Sequence, residues 1–308
     1  LAGFTNNAGN QDTGAAVDKV FADQQAAMET AALSNTIGNP AEHHYQAAQI
    51  FIAAIPADIR TALESGYQVM LLLPALLLHK DESARMQQLR FLAQQLGAQR
   101  CEHIQRLHAA LQTINTDARV PVLNLALPLI KEQPAGRLEY LGTLLEQLAM
   151  HDNQVDLFEY ALLRIFQNYI QRAAQPAARR QWRTLKNADM QAAAAELLVV
   201  FARKTGARNA DITGLVQQQL ATLEISADDI PADNVQTNIR GNSNGWVNQA
   251  DTALLRLQDC TPHARQQLVQ ALMAIALHDG HISQPESELL RAFCSLLECP
   301  LPPILGAV

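Results

Sequence analysis

An all-α fold, containing two copies of one helix-turn-helix unit, is the architecture this 308-residue chain predicts. Three observations carry the expectation. Hydrophobic residues make up 48% of the chain but aromatics only 5%, and the commonest residues, Ala, Leu and Gln, lose little side-chain freedom in a helix. Apolar residues recur at three-to-four spacing through most of the chain. Finally, "LLEQLAMHDNQVDLFEYALLRIF" (144–166) is answered by "LMAIALHDGHISQPESELLRAF" (272–293).

Aligned at one fixed offset, the two stretches pair Ala149 with Ala276, His151 with His278, Asp152 with Asp279 and Val155 with Ile282. Further on they pair Glu159 with Glu286, Leu162 and Leu163 with Leu289 and Leu290, Arg164 with Arg291, and Phe166 with Phe293. An internal duplication is the simplest account of so many identities. Each copy also has the local chemistry of an αα-corner. Gly280 suits the left-handed residue that ends a helix, and Asn153 is the next-best residue for that conformation. Asp156 or Ser283 can cap the following helix, with Glu159 or Glu286 three residues on, at capping-box spacing.

In chain order, residues 1–34 open with Gly- and Asn-rich sequence and read as a linker with an N-terminal helix. Residues 35–136 form a helical module. Ala47, Ile50, Phe51 and Ala54 mark one buried face, and Pro56 starts a new helix. Val69–Leu78 is too short for a membrane span and reads as a buried core helix, and Gly97 interrupts the helices that follow. The stretch 115–134, with Pro121, Pro128 and Pro134, predicts short helical turns broken by proline. Residues 137–172 hold the first repeated unit. Residues 173–249 are connecting helices (189–206 and 212–223) ending in a long polar loop, 224–248. Residues 250–308 contain three helices, the second repeated unit and a proline-rich tail.

The net charge of −7 argues against a nucleic-acid partner, which needs a basic face. Cys101, Cys260, Cys294 and Cys299 form no C-x-x-C pair and read as buried free thiols. The histidines offer no H-E-x-x-H: His43 and His44 are adjacent, while His103 and His108 diverge by about 140° around a helix. His278 and His281 flank the second turn, where surface exposure is the ordinary state and metal ligation the alternative. No nucleophile elbow or phosphate loop is present, so the chain is expected to be non-catalytic and to hold no cofactor of its own. It opens at Leu1 with no methionine and no signal-type apolar core, which suggests an excised piece of a longer protein.

The acidic corners have two readings. Asp156, Ser283, Glu159 and Glu286 can serve as caps and turn residues. Alternatively Asp152 with Glu159, and Asp279 with Glu286, can converge on a weakly held divalent cation, with carbonyls and water completing an oxygen shell. The spacing of an EF-hand loop is absent.

The repeated "A-x-H-D-G-x-I-x-x-x-E-x-x-L-L" resembles the core of TerB-like domains, the helical modules named after tellurite-resistance proteins. The resemblance implies two TerB-like modules here and maps proposed metal-contacting residues onto Asp152, Glu159, Asp279 and Glu286; Asn153, standing where the pattern has glycine, departs from it. A wider resemblance rests on 36–89 ("TIGNPAEHHYQAAQIF…"), "LPLI" (127–130), "DLFEYALLRI" (156–165) and "SELLRAFCSLLECPLPPIL" (287–305). Together these are similar to the C-terminal region of bacterial membrane zinc metallopeptidases of the HtpX and CAAX-prenyl-protease type. That resemblance implies a soluble accessory region at the cytoplasmic face of the inner membrane. Its partners would be the protease domain of the same polypeptide and a protein substrate or partner. The catalytic zinc would lie in a domain upstream of Leu1.

Overall fold

The computed structural model describes residues 42–114, 118–151, 154–174, 182–205, 212–225, 245–278 and 282–299. Among them are thirteen α-helices: α1 (Glu42–Ala54), α2 (Ala57–Glu64), α3 (Val69–Leu76), α4 (Glu82–Leu96), α5 (Ala98–Leu111), α6 (Arg119–Lys131), α7 (Ala135–Ala149), α8 (Leu157–Ala174), α9 (Ala188–Lys204), α10 (Ile212–Thr222), α11 (Gly245–Leu257), α12 (Pro262–Ala276) and α13 (Gln284–Leu296). No strand occurs among the described residues, where a lone bridge joins Arg183 to Cys260. None of their helices is long and apolar enough to cross a membrane.

The N-terminal helices gather around α3, which packs against α2, α5, α6 and α7. Its sequence is apolar on all sides, and every residue but Met70 is buried, as expected of a central helix rather than an amphipathic surface one. In the C-terminal part α9 takes the central place, against α10, α11 and α12. The halves meet where α8, the second helix of the first corner, lies along α13, the second helix of the second corner. Tyr160 and Phe293 meet edge-to-face across that contact, with ring centroids 6.2 Å apart.

Two expectations are corrected. The proline-rich stretch is not broken into turns but forms one helix, α6, with Pro121 in its first turn and Pro128 inside it. Pro121 removes an N–H that has no helical partner in any case. The carbonyl that Pro128 leaves without a donor belongs to Asn124, on the exposed face where water can bond it. Burial of Val120, Leu123, Leu127 and Ile130 on the other face outweighs the lost bond. The second correction concerns the polar loop, whose last residues, Gly245–Asn248, already belong to α11. Trp246 explains this: it is 1% exposed, with its ring 4.9 Å from that of Tyr160. Residues 226–244, the rest of that loop, lie outside the described residues, as do residues 1–41 and 300–308.

Helix ends follow their local chemistry. Gly97, at φ +87°, separates α4 from α5, as expected. α10 and α13 end in Schellman motifs with a glutamate, Glu224 or Glu298, in the left-handed position at φ +57° and +60°. Arg265 fastens the second of these. Its guanidinium donates to the carbonyls of Gln258 (2.6 Å) and Cys260 (2.9 Å) and to Glu298 Oε2 (2.5 Å), tying α11, α12 and α13 together.

His108 is buried on α5, its Nδ1–H donating to the carbonyl of Ala75 on α3 at 3.0 Å. Burial first, and Arg85 second, hold its pKa below 6.5, against an opposing effect of the Ala75 bond. The folded form therefore favours neutral imidazole, and this contribution is complete above pH 6.5 and is lost as pH falls from there through the lower folded value. Urea unfolding across that range is expected to show a decline in stability in wild type that is reduced in His108→Gln; equal declines would refute the assignment.

Candidate functional site

The acidic corners form as reciprocal capping boxes. In the first, Asp156 Oδ1 accepts the N–H of Glu159 at 2.7 Å while Glu159 Oε2 accepts the N–H of Asp156 at 2.9 Å. In the second, Ser283 and Glu286 make the same exchange, with Glu286 Oε2 2.6 Å from the Ser283 nitrogen. Both glutamates are buried, a state a carboxylate tolerates when its oxygens accept N–H bonds. Val155 packs on the core beside the first cap and Ile282 is buried beside the second, as a staple requires.

Of the four carboxylates singled out for a cation, Glu159 and Glu286 are thus engaged in capping, and Asp152 and Asp279 lie outside the described residues. Among the described residues no three His, Cys, Asp or Glu side chains gather in a metal-holding arrangement. His278 bonds the carbonyl of Ile275 through Nδ1 at 3.0 Å, and His281 is outside the described residues. Cys101, Cys260 and Cys294 are buried and Cys299 half-buried, all as free thiols.

The tertiary structure brings the two corners to one place. The first turns of α8 and α13, the last residue of α3 and the segment Leu77–Lys80 after it line a cavity of about 400 Å³. Leu76, Leu77, Leu78, Leu157, Phe158 and Pro285 give it an apolar lining. Its wall also holds an ion pair: Arg119, at the start of α6, donates to Glu288 Oε1 at 2.6 Å, and Gln284 donates to the same oxygen at 3.0 Å. The guanidinium carbon lies 3.8 Å from the centroid of the Phe158 ring, a close cation–π contact. Burial raises the Glu288 pKa, opposed chiefly by Arg119. Arg119 Nε is buried without a hydrogen-bond partner.

Neither Arg119 nor Glu288 is marked by any local spacing, since they come together from 169 positions apart. A signal did exist for Glu288. At the offset that aligns Glu159 with Glu286, it stands opposite Ala161, which is fully buried, so a charge replaces a core alanine inside an otherwise matched helix. An isolated buried carboxylate is costly, and the substitution implied a cationic partner somewhere in the fold.

Comparison with known families supplies one match: residues 191–301 fit the family model of the tellurite resistance protein TerB. The TerB match therefore runs from within α9 to just past α13 and contains the second corner, while the first corner lies before it. No curated protein and no solved structure matches the chain.

Asp156→Ala and Ser283→Ala are each expected to lower unfolding stability by about 1 kcal/mol, the ordinary cost of losing an N-cap. Denaturant titration of the two variants measures this, and a loss in only one copy would show that the corners are not equivalent in energy.

Proposed function

We propose that the chain is a non-catalytic TerB-type recognition module whose cavity between the two corners receives a short segment of a protein partner. The observation that carries this reading is the cavity itself. Its volume of about 400 Å³ is within the range usual for binding sites, and it combines an apolar lining with a few converging polar groups. The matched capping boxes set two rigid helix starts on its wall, so the site is built on regular elements rather than on loops.

Selection of displayed random peptides against the purified chain tests this. Enriched peptides are expected to lose at least about tenfold in affinity, roughly 1.4 kcal/mol, for Leu157→Trp, which fills the cavity. They should bind Leu255→Ser, altered at a residue 67% exposed on α11, as well as wild type. Peptides that bind the filled variant equally, or no enrichment at all, would refute the reading; circular dichroism confirms that Leu157→Trp is folded.

A second reading, favoured by the TerB match, is a module responsive to a divalent cation held by Asp279 and Glu286, and by Asp152 and Glu159. The capping bonds limit it, because a cation would have to share carboxylates already bonded to backbone N–H groups. Calorimetric titration with calcium, magnesium and zinc is expected to give heat in wild type that disappears in Asp279→Ala if this reading holds. The finer proposal, that the module serves the protease domain of a membrane zinc metallopeptidase at the cytoplasmic face, rests on the sequence fragments quoted above. An H-E-x-x-H motif and apolar spans encoded upstream of Leu1 would support it, and a start codon close to Leu1 would end it.

A further inference from the structure

The end of α13 places two thiols where a Schellman motif ordinarily places two apolar side chains. In this motif the residue in the last helical turn and the residue just beyond the left-handed position are joined by a backbone hydrogen bond, and their side chains meet. At the end of α10 the pair is Leu220 and Ile225: the Ile225 N–H donates to the Leu220 carbonyl at 2.9 Å, and both side chains are buried. At the end of α13 the same positions are held by Cys294 and Cys299, whose corresponding bond is also 2.9 Å. The inner bond is present in both, from Glu224 to Ala221 at 3.0 Å and from Glu298 to Ser295 at 3.1 Å.

A backbone N–H···O=C bond between two residues brings their Cα atoms to about 5–6 Å, inside the span that a disulfide bridges without backbone movement. Cys294 is fully buried and Cys299 half-buried, packed on the core, so a reagent from solvent meets Cys299 first. The backbone between them is anchored, since Arg265 holds Glu298 Oε2 at 2.5 Å and the Leu297 carbonyl at 3.4 Å. The other thiols have no such neighbour. Cys101 donates to the Leu89 carbonyl, and Cys260 Sγ lies against the Met190 sulfur at 3.6 Å, which forms no disulfide.

We propose that Cys294 and Cys299 are a dithiol modification site, closed by a hydroperoxide into a disulfide that fastens the residues just after α13 to its last turn. The Cys299 thiolate attacks the O–O bond of hydrogen peroxide, forming a sulfenic acid and expelling hydroxide. The Cys294 sulfur, giving up its proton, then attacks the sulfenyl sulfur; the S–S bond forms, the S–O bond breaks, and the oxygen leaves as water. In sum two thiols and one peroxide give one disulfide and two waters. The reaction is slow, because burial raises the pKa of both thiols, with Arg265 opposing the shift at Cys299.

The full chain, treated with hydrogen peroxide, unfolded, alkylated and digested with trypsin, tests the proposal. Cleavage after Arg291 leaves both cysteines in one peptide. The expected product is that peptide lighter by two hydrogens, carrying no alkyl group, and returned to the doubly alkylated form by prior reduction with dithiothreitol. In Cys299→Ser the loss of two hydrogens should be absent and Cys294 alkylated. A doubly alkylated peptide from the treated wild type, a sulfinic acid at Cys299 alone, or a bridge from either residue to Cys101 or Cys260 would overturn it. Because the wild-type digest decides the matter, the result does not depend on the variant's folding.

Discussion

The structure depends on the packing of α8 along α13. Each is the second helix of a corner, and neither corner can bury its apolar stripe within two helices of its own. Phe158, Tyr160, Leu162 and Ile165 from one helix and Leu289, Leu290 and Phe293 from the other are all buried, and Tyr160 extends the same core to Trp246 on α11. Burying a large apolar side chain is worth about 1.5–3 kcal/mol, more than the roughly 1 kcal/mol typical of a cap or the smaller gain of a surface ion pair. The duplicated unit is thus a means by which one helix-turn-helix supplies the partner surface of the other.

That pairing fixes where polar groups can go. Once α8 and α13 are in contact, the starts of both helices open onto the same cavity beside the end of α3. The capping boxes satisfy N–H groups that would otherwise lack partners there, which allows Glu159 and Glu286 to be buried. Arg119 and Glu288 extend the same rule to a pair of charges, each compensating the other's loss of water. A second polar group, in which Tyr160 and Arg164 both bond Asp251, ties α8 to α11. The ion pair in the cavity wall joins α6 to α13, so the N-terminal helices and the TerB domain are connected by charge as well as by apolar contact.

Divergence between the copies is as informative as their agreement. Where they agree, at the caps, the residues serve the corner itself; the shared Leu-Leu-Arg run reaches beyond it, with Arg164 bonding Asp251 on α11. They disagree at Ala161 against Glu288, where the second copy faces Arg119. The end of α13 carries a dithiol in a motif that α10 completes with leucine and isoleucine.

The helical class, the buried character of Val69–Leu78, the break at Gly97 and both capping boxes were legible in the sequence. All are set by interactions within a few residues, namely capping, backbone conformation and hydrophobic period, and local chemistry suffices to specify them. The continuity of α6 through Pro128 and the start of α11 at Gly245 were not legible, because burial against distant helices overrode the local preference. The cavity, the Arg119–Glu288 pair and the meeting of the two corners were decided by tertiary structure alone. They join segments far apart in the chain, and no spacing along a sequence encodes a distance across a packed interface.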